Sequence, residues 1–215
     1  MIISKVNCKE IFQEAFEKRY TWPKTFNGYK GKCLYVNNEK SLEGEFSLGK
    51  NFKPEINNIS DEQIVKSISS QLFEVCIHRV KRSFNEIHGK NDFIFLNQND
   101  NGIEMKVKGK NDGDKYQVKD KKINMVYRQI HGIIIEIFVQ EFLDTGSGFL
   151  SKKYTSQQLD IENLSPKSKL FEYQDNFMNL PKTDLWILES RIIKSSCQDN
   201  KTIFNKYYFR ELSKI

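Results

Sequence analysis

The chain is short of almost everything that usually announces catalysis or a membrane span. Its 215 residues include 4 prolines, 4 cysteines, 3 histidines and 11 glycines, and no glycine follows Gly148. No stretch approaches the roughly 20 apolar residues a membrane-crossing helix needs. The most apolar segment, Ile133 to Phe138, is broken by Glu136. Met1-Ile2-Ile3-Ser4-Lys5 lacks the apolar run of a secretory signal, so a cytoplasmic, soluble protein is expected. Cys8, Cys33, Cys76 and Cys197 lie far apart with no Cys-x-x-Cys pair. In a reducing compartment they read as free thiols, mostly buried. The histidines His78, His88 and His131 offer no metal-ligand spacing. No glycine-rich loop opens a helix to cradle phosphate, and no Ser-His-Asp or Cys-His set can be assembled. No metal and no cofactor is expected.

What is abundant is aromatic. Sixteen Phe and nine Tyr raise the aromatic fraction to 13%, and rings of this size fill sheet interiors and line broad cavities. The net charge is +6, with 34 basic and 28 acidic side chains mixed along the whole length. Mixing of this kind keeps a protein soluble and favours polyanions only weakly. Lys206-Tyr207-Tyr208-Phe209-Arg210 interleaves basic and aromatic residues as a single-strand nucleic-acid surface would. One such strand is too little, and no nucleic-acid partner is expected.

Two helices stand out. The first is expected over 7–19: Asn7 caps it, Glu10 completes a capping box, and Cys8, Ile11, Phe12, Ala15 and Phe16 recur on one face. Arg19 suits its C-terminal end and Pro23 stops it. The second is expected over 60–79, with Ser60 and Gln63 as its capping box and a stripe of Ile64, Ile68, Leu72, Val75 and Cys76. The remainder alternates with period two, as in Leu42, Phe46, Leu48 against Glu43, Glu45, Ser47. Short turns such as Asn37-Asn38, Asn99 to Gly102, Asp120-Lys121, His131-Gly132 and Gln198-Asp199-Asn200 separate the strands. The fold class is α+β, mainly β, in a single domain over 1–215. It is expected to be one strongly curved antiparallel sheet, or an unclosed barrel, of about ten strands wrapped around one or two helices.

Four local features compete for chemistry. Leu143-Asp144-Thr145-Gly146 with Gly148 is similar to the active-site loop of aspartic proteases, where two such Asp share a proton. A single copy with no later bracing glycine reads better as a Gly-rich turn with an Asx hydrogen bond. His78, Arg79, Lys81 and Arg82, followed by His88-Gly89-Lys90-Asn91, offer cations to a carboxylate or phosphate. The competing reading is a helix end dressed with cations. Arg19-Tyr20-Thr21-Trp22-Pro23 places Trp22 at a cavity mouth or as a packed cap over the sheet end. His131-Gly132 reads as a turn.

These residues also carry a resemblance. Phe12 to Trp22, then His78-Arg79 through Arg82-Ser83-Phe84 to His88-Gly89-Lys90-Asn91, then Leu143-Asp144-Thr145-Gly146 with Gly148 resemble a cyanobacterial family defined as a domain of unknown function. That resemblance implies a cyanobacterial source and a cytoplasmic setting, and it supplies no catalytic residues. The order of strands and helices is similar in layout to the lipoprotein carriers, an unclosed barrel with helices plugging its mouth. Function is therefore expected to be non-enzymatic: a binding or assembly module holding an apolar small molecule (lipid, pigment or isoprenoid) or a partner segment in the concave sheet. The candidate ligand-binding residues are Trp22, Tyr29, His78, Arg79, Arg82, His88, Lys90 and Asp144. The alternative is an accessory lyase or chaperone for attaching a tetrapyrrole (bilin), or for assembling photosynthetic complexes.

Overall fold

The computed structural model describes residues 6–196 and 202–215, with Ser196 described by its backbone alone. Met1 to Lys5, Cys197 and the turn at Gln198-Asp199-Asn200 lie outside the described residues. The elements run α1 (Cys8–Glu17), β1 (Gly28–Asn37), β2 (Ser41–Gly49), β3 (Pro54–Asn57), α2 (Glu62–Arg79), α3 (Phe84–His88), β4 (Asn91–Asn99), β5 (Gly102–Gly109) and β6 (Lys115–Lys119). They continue as β7 (Lys122–Ile130), β8 (Ile133–Asp144), β9 (Phe149–Asp160), β10 (Phe171–Asn179), β11 (Trp186–Ser196) and β12 (Thr202–Lys214). The fold is mainly β, and every described strand register is antiparallel. Among the described residues there are twelve strands, against the expected ten or so. The unforeseen one is β3, only four residues long and opened by Pro54, which gives no alternating run to read.

The chain divides into two compact units, one holding residues up to Tyr20 with Arg82–Phe171, the other Thr21–Lys81 with Glu172–Ile215. In the first unit the strand order is β9-β8-β7-β6-β5-β4. α1 packs on β4, β6 and β7 because its apolar positions fall three and four apart, so Cys8, Phe12, Ala15 and Phe16 all face the sheet. They meet Met105, Val107, Tyr116 and Val118 in one core. The Phe12 ring stacks on Phe93 at 4.6 Å and lies 4.5 Å from Tyr116. Full burial of one such ring is worth about 2–3 kcal/mol. The Asn7 side chain accepts from the Glu10 amide at 3.3 Å, the N-cap half of the expected box. The helix ends at Glu17 rather than 19, and the Arg19 guanidinium turns back over the Phe16 ring, donating to the Phe16 carbonyl at 3.0 Å.

In the second unit the order is β3-β2-β1-β12-β11-β10. α2 lies against β1 and β3, burying the expected stripe of Ile64, Ile68, Leu72, Val75 and Cys76. Its cap is Asp61 rather than Ser60. One Asp61 oxygen accepts from the amides of Gln63 and Ile64, while the other binds Lys40 at 2.9 Å. A carboxylate at that position answers both the amides and the helix dipole, which a serine hydroxyl one residue earlier does not. The helix ends at Arg79 as expected. In the first unit, α3 is a five-residue turn of helix closed by a complete Ser83–Glu86 capping box. It lies where no helix is expected from the sequence.

Cys8, Cys33 and Cys76 are buried free thiols. His131 and Gly132 both take positive φ, 49° and 79°, and form the tight turn between β7 and β8. In each unit a helix packs its apolar side chains onto the sheet: Phe12 of α1 is 1% exposed and Leu72 of α2 is 0%.

Candidate functional site

The candidate residues divide between the units. Trp22, Tyr29, His78 and Arg79 belong to the second; Arg82, His88, Lys90 and Asp144 belong to the first.

In the first unit Arg82 and Lys90 are exposed. His88 is 5% exposed and ringed by Phe12 at 5.0 Å, Phe16 at 5.3 Å and Tyr116 at 6.0 Å. Burial, reinforced by the positive charges of Arg19, Arg128 and Lys110, lowers its pKa to about 4. The ring is therefore neutral near pH 7, with Nδ1 accepting from Asn91 Nδ2 at 3.1 Å. The enclosed, neutral imidazole brings no positive charge to an anion, and His88 packs as an aromatic with one polar edge.

Asp144 is exposed, and its Oδ1 accepts from the Gly146 amide at 2.8 Å. This Asx turn presents β9 to the end of α1. The Phe149 amide donates to the Lys18 carbonyl at 2.8 Å, and the Tyr20 amide donates to the Phe149 carbonyl at 2.9 Å. The two distant motifs ending in Arg19-Tyr20 and in Gly148 are thus one structural brace.

The second unit holds the denser site. Trp22 is 2% exposed. Its amide donates to the Arg79 carbonyl at 2.7 Å and its indole Nε1 donates to the Trp186 carbonyl at 3.0 Å. The ring stacks on Phe26 at 4.1 Å and meets Tyr29 edge-on at 6.2 Å. Trp22 is a packed cap, tying the C-terminal end of α2 to β11. Arg79 itself extends its guanidinium to 5.6 Å from the Phe177 ring centroid, and His78 is exposed.

Tyr29 points inward from β1, on the same face as Cys33 and Tyr35. It is fully buried, and its hydroxyl has no hydrogen-bond partner among the described residues. Burial pushes the phenol pKa far up, the Cys76 thiol beside it adds to the shift, and Arg191 opposes it. Burial likewise pushes Cys76 up to about 12, so it stays a thiol and is no nucleophile.

Beneath α2 lies a charged network not foreseen from sequence. Arg191 of β11 and Asp175 of β10 are each 2% exposed. Arg191 Nε donates to Asp175 Oδ1 at 2.8 Å and Nη2 to Oδ2 at 2.7 Å. Nη1 donates to Gln71 Oε1 at 3.0 Å and lies 3.2 Å from a Glu74 carboxylate oxygen, both on α2. Ser67 of α2 and Tyr207 of β12 share a hydrogen bond of 2.7 Å. A signal existed in β10, where Asp175 falls in the inward phase set by Phe171, Tyr173 and Phe177. Alternation does not say which cation answers it.

A separate surface depression of about 340 Å³, lined by Leu180, Lys182, Thr183, Leu212 and Lys214, contains none of the candidate residues. Among the described residues no group of His, Cys, Asp and Glu is arranged to hold a metal ion. No helix there is long and apolar enough to cross a membrane.

A family model described as "Protein of unknown function (DUF3386)" matches residues 3–215. No curated protein matches the chain significantly. Among solved structures, a DUF1329 family protein from Desulfovibrio piger is similar at 8% identity and a TM-score of 0.34, over 98% of this chain and 94% of that one. A LolA superfamily protein from Nitrosomonas europaea is similar at 8% identity and a TM-score of 0.33, with the same coverage.

Proposed function

Because this chain belongs to the DUF3386 family of proteins of unknown function, we propose its role from its own residues: a non-enzymatic module that holds an apolar small molecule beneath α2. The observation that carries this reading is the Tyr29 hydroxyl, fully buried and without a hydrogen-bond partner among the described residues. An unsatisfied buried hydroxyl costs about 1–3 kcal/mol, and proteins retain such groups where a ligand or water answers them. Around it stand Trp22, Phe26 and Phe46, within ring-contact distance at 6.2, 6.5 and 5.5 Å. Such surroundings suit a largely hydrocarbon molecule with one carbonyl or hydroxyl oxygen. Entry requires α2 to yield, and its polar attachments through Ser67, Gln71 and Glu74 are few enough to break and remake.

The test compares the protein with its Tyr29→Phe variant, extracting each with organic solvent for mass spectrometry. The wild type should release an apolar compound near stoichiometry and the variant far less. The ligand-free variant should also be more stable, by about 1 kcal/mol, because the orphaned hydroxyl is gone. Empty extracts from both, with no thermal shift on adding a fatty acid or an isoprenoid alcohol, would overturn the reading.

A further inference from the structure

α2 carries two apolar faces. The inward one is the buried stripe already described. The outward one holds Phe73 and Ile77, one turn apart and 48% and 43% exposed. At 100° per residue these two point opposite to Ile64, Ile68, Leu72 and Val75, so no small tilt of the helix could bury them against the sheet. Lys66, on the same outward face, precedes Phe73 by two turns, roughly 10 Å along the axis. Lys81 follows Ile77 by one turn's worth of chain, just past the helix end; both lysines are exposed. Of the nearby carboxylates, Glu74 is drawn toward Arg191 at 3.2 Å, and Glu62 lies a further turn before Lys66.

We propose that this outward face of α2 docks on an anionic lipid surface, with Phe73 and Ile77 entering the headgroup boundary while Lys66 and Lys81 meet the lipid phosphates. An apolar pair bracketed by long cationic side chains is the arrangement that lies in a membrane interface, the stems covering hydrocarbon and the heads reaching outward. The net charge of +6 works in the same direction. Two side chains provide far less than the roughly 800 Å² per partner that a specific protein interface needs, whereas a bilayer asks for no shape match. This inference stands apart from the interior site: it rests on outward residues and is read by a different measurement.

The experiment is co-sedimentation of the full chain with vesicles of phosphatidylglycerol and phosphatidylcholine, against phosphatidylcholine alone. Binding is expected to the mixed vesicles, to weaken with salt, and to be slight on neutral ones. Phe73→Ser with Ile77→Ser should lower the partition coefficient roughly tenfold or more. Lys66→Gln and Lys81→Gln should each lower it about fivefold. All four positions are exposed, so circular dichroism should show the fold retained. No binding to anionic vesicles, or binding indifferent to both pairs of substitutions, overturns the proposal. It is equally overturned if the apolar pair instead drives concentration-dependent self-association that Phe73→Ser with Ile77→Ser abolishes.

Discussion

Arg191 and Asp175 face each other across β11 and β10 as a two-point pair, with hydrogen bonds of 2.8 and 2.7 Å and both side chains sealed from solvent. Either charge alone in that interior is costly, and the pair is tolerable because each guanidinium nitrogen finds an oxygen. Asp175→Asn or Arg191→Leu should therefore cost about 3–5 kcal/mol in denaturant unfolding. The double substitution Asp175→Leu with Arg191→Met should cost much less than the sum, since no uncompensated charge is left behind. Additive losses would show that the two residues act independently.

His88 predicts a pH dependence. Its folded pKa of about 4 lies below the ordinary 6.5, so the unfolded chain binds the extra proton first as pH falls. The contribution is complete above about pH 6.5 and is lost as pH falls toward 4, by at most about 3 kcal/mol. His88→Phe should flatten this slope. The substitution leaves Asn91 paired with Asn111, whose oxygen accepts from Asn91 Nδ2 at 2.9 Å. A slope that survives in the variant would assign the effect to other groups; the buried Asp114, whose pKa burial raises, works with the opposite sign, gaining stability as pH falls.

The legible parts of the fold were those with a local period. α1 could be read because its cap, first-turn acid and apolar spacing agree within ten residues. The α2 stripe is legible for the same reason, yet Phe73 and Ile77 fit no single-stripe pattern and stand out only by their exposure. α3 carried its Ser83–Glu86 cap in the sequence, but five residues are too few to show a period. The site was less legible because its polar contacts join residues far apart: Arg191 reaches 120 positions back to Gln71, and Trp22 reaches 164 forward to Trp186. Burial reversed the reading of His88, whose basic neighbours in sequence suggest a cation until the surrounding rings make it neutral.

Trp22 fastens three segments at once, through the Arg79 carbonyl, the Trp186 carbonyl and the Phe26 ring. Trp22→Phe keeps most of the ring burial and loses one hydrogen bond, leaving the Trp186 carbonyl without that donor; about 1–3 kcal/mol is expected. Trp22→Ala should cost about 3–5 kcal/mol by opening a cavity. Equal losses in the two variants, measured by chemical denaturation, would mean that the hydrogen bond rather than packing holds this corner.

Gly148 and Asp144 sit four residues apart in one turn, and substitution should separate their roles. A Cβ on Gly148 would stand 2.7 Å from the Tyr20 nitrogen and 2.9 Å from the Lys18 oxygen. Both are backbone atoms already committed to hydrogen bonds with Phe149. Gly148→Ala must therefore push β9 away from the end of α1, at a cost of about 2–3 kcal/mol. Asp144→Ala removes only the exposed Asx bond to the Gly146 amide and should cost about 1 kcal/mol or less. Denaturant midpoints for Gly148→Ala and Asp144→Ala measure both costs, Asp144→Asn should hold the wild-type midpoint because it keeps the Asx acceptor, and a larger loss at Asp144 than at Gly148 would refute the bracing role assigned to the turn.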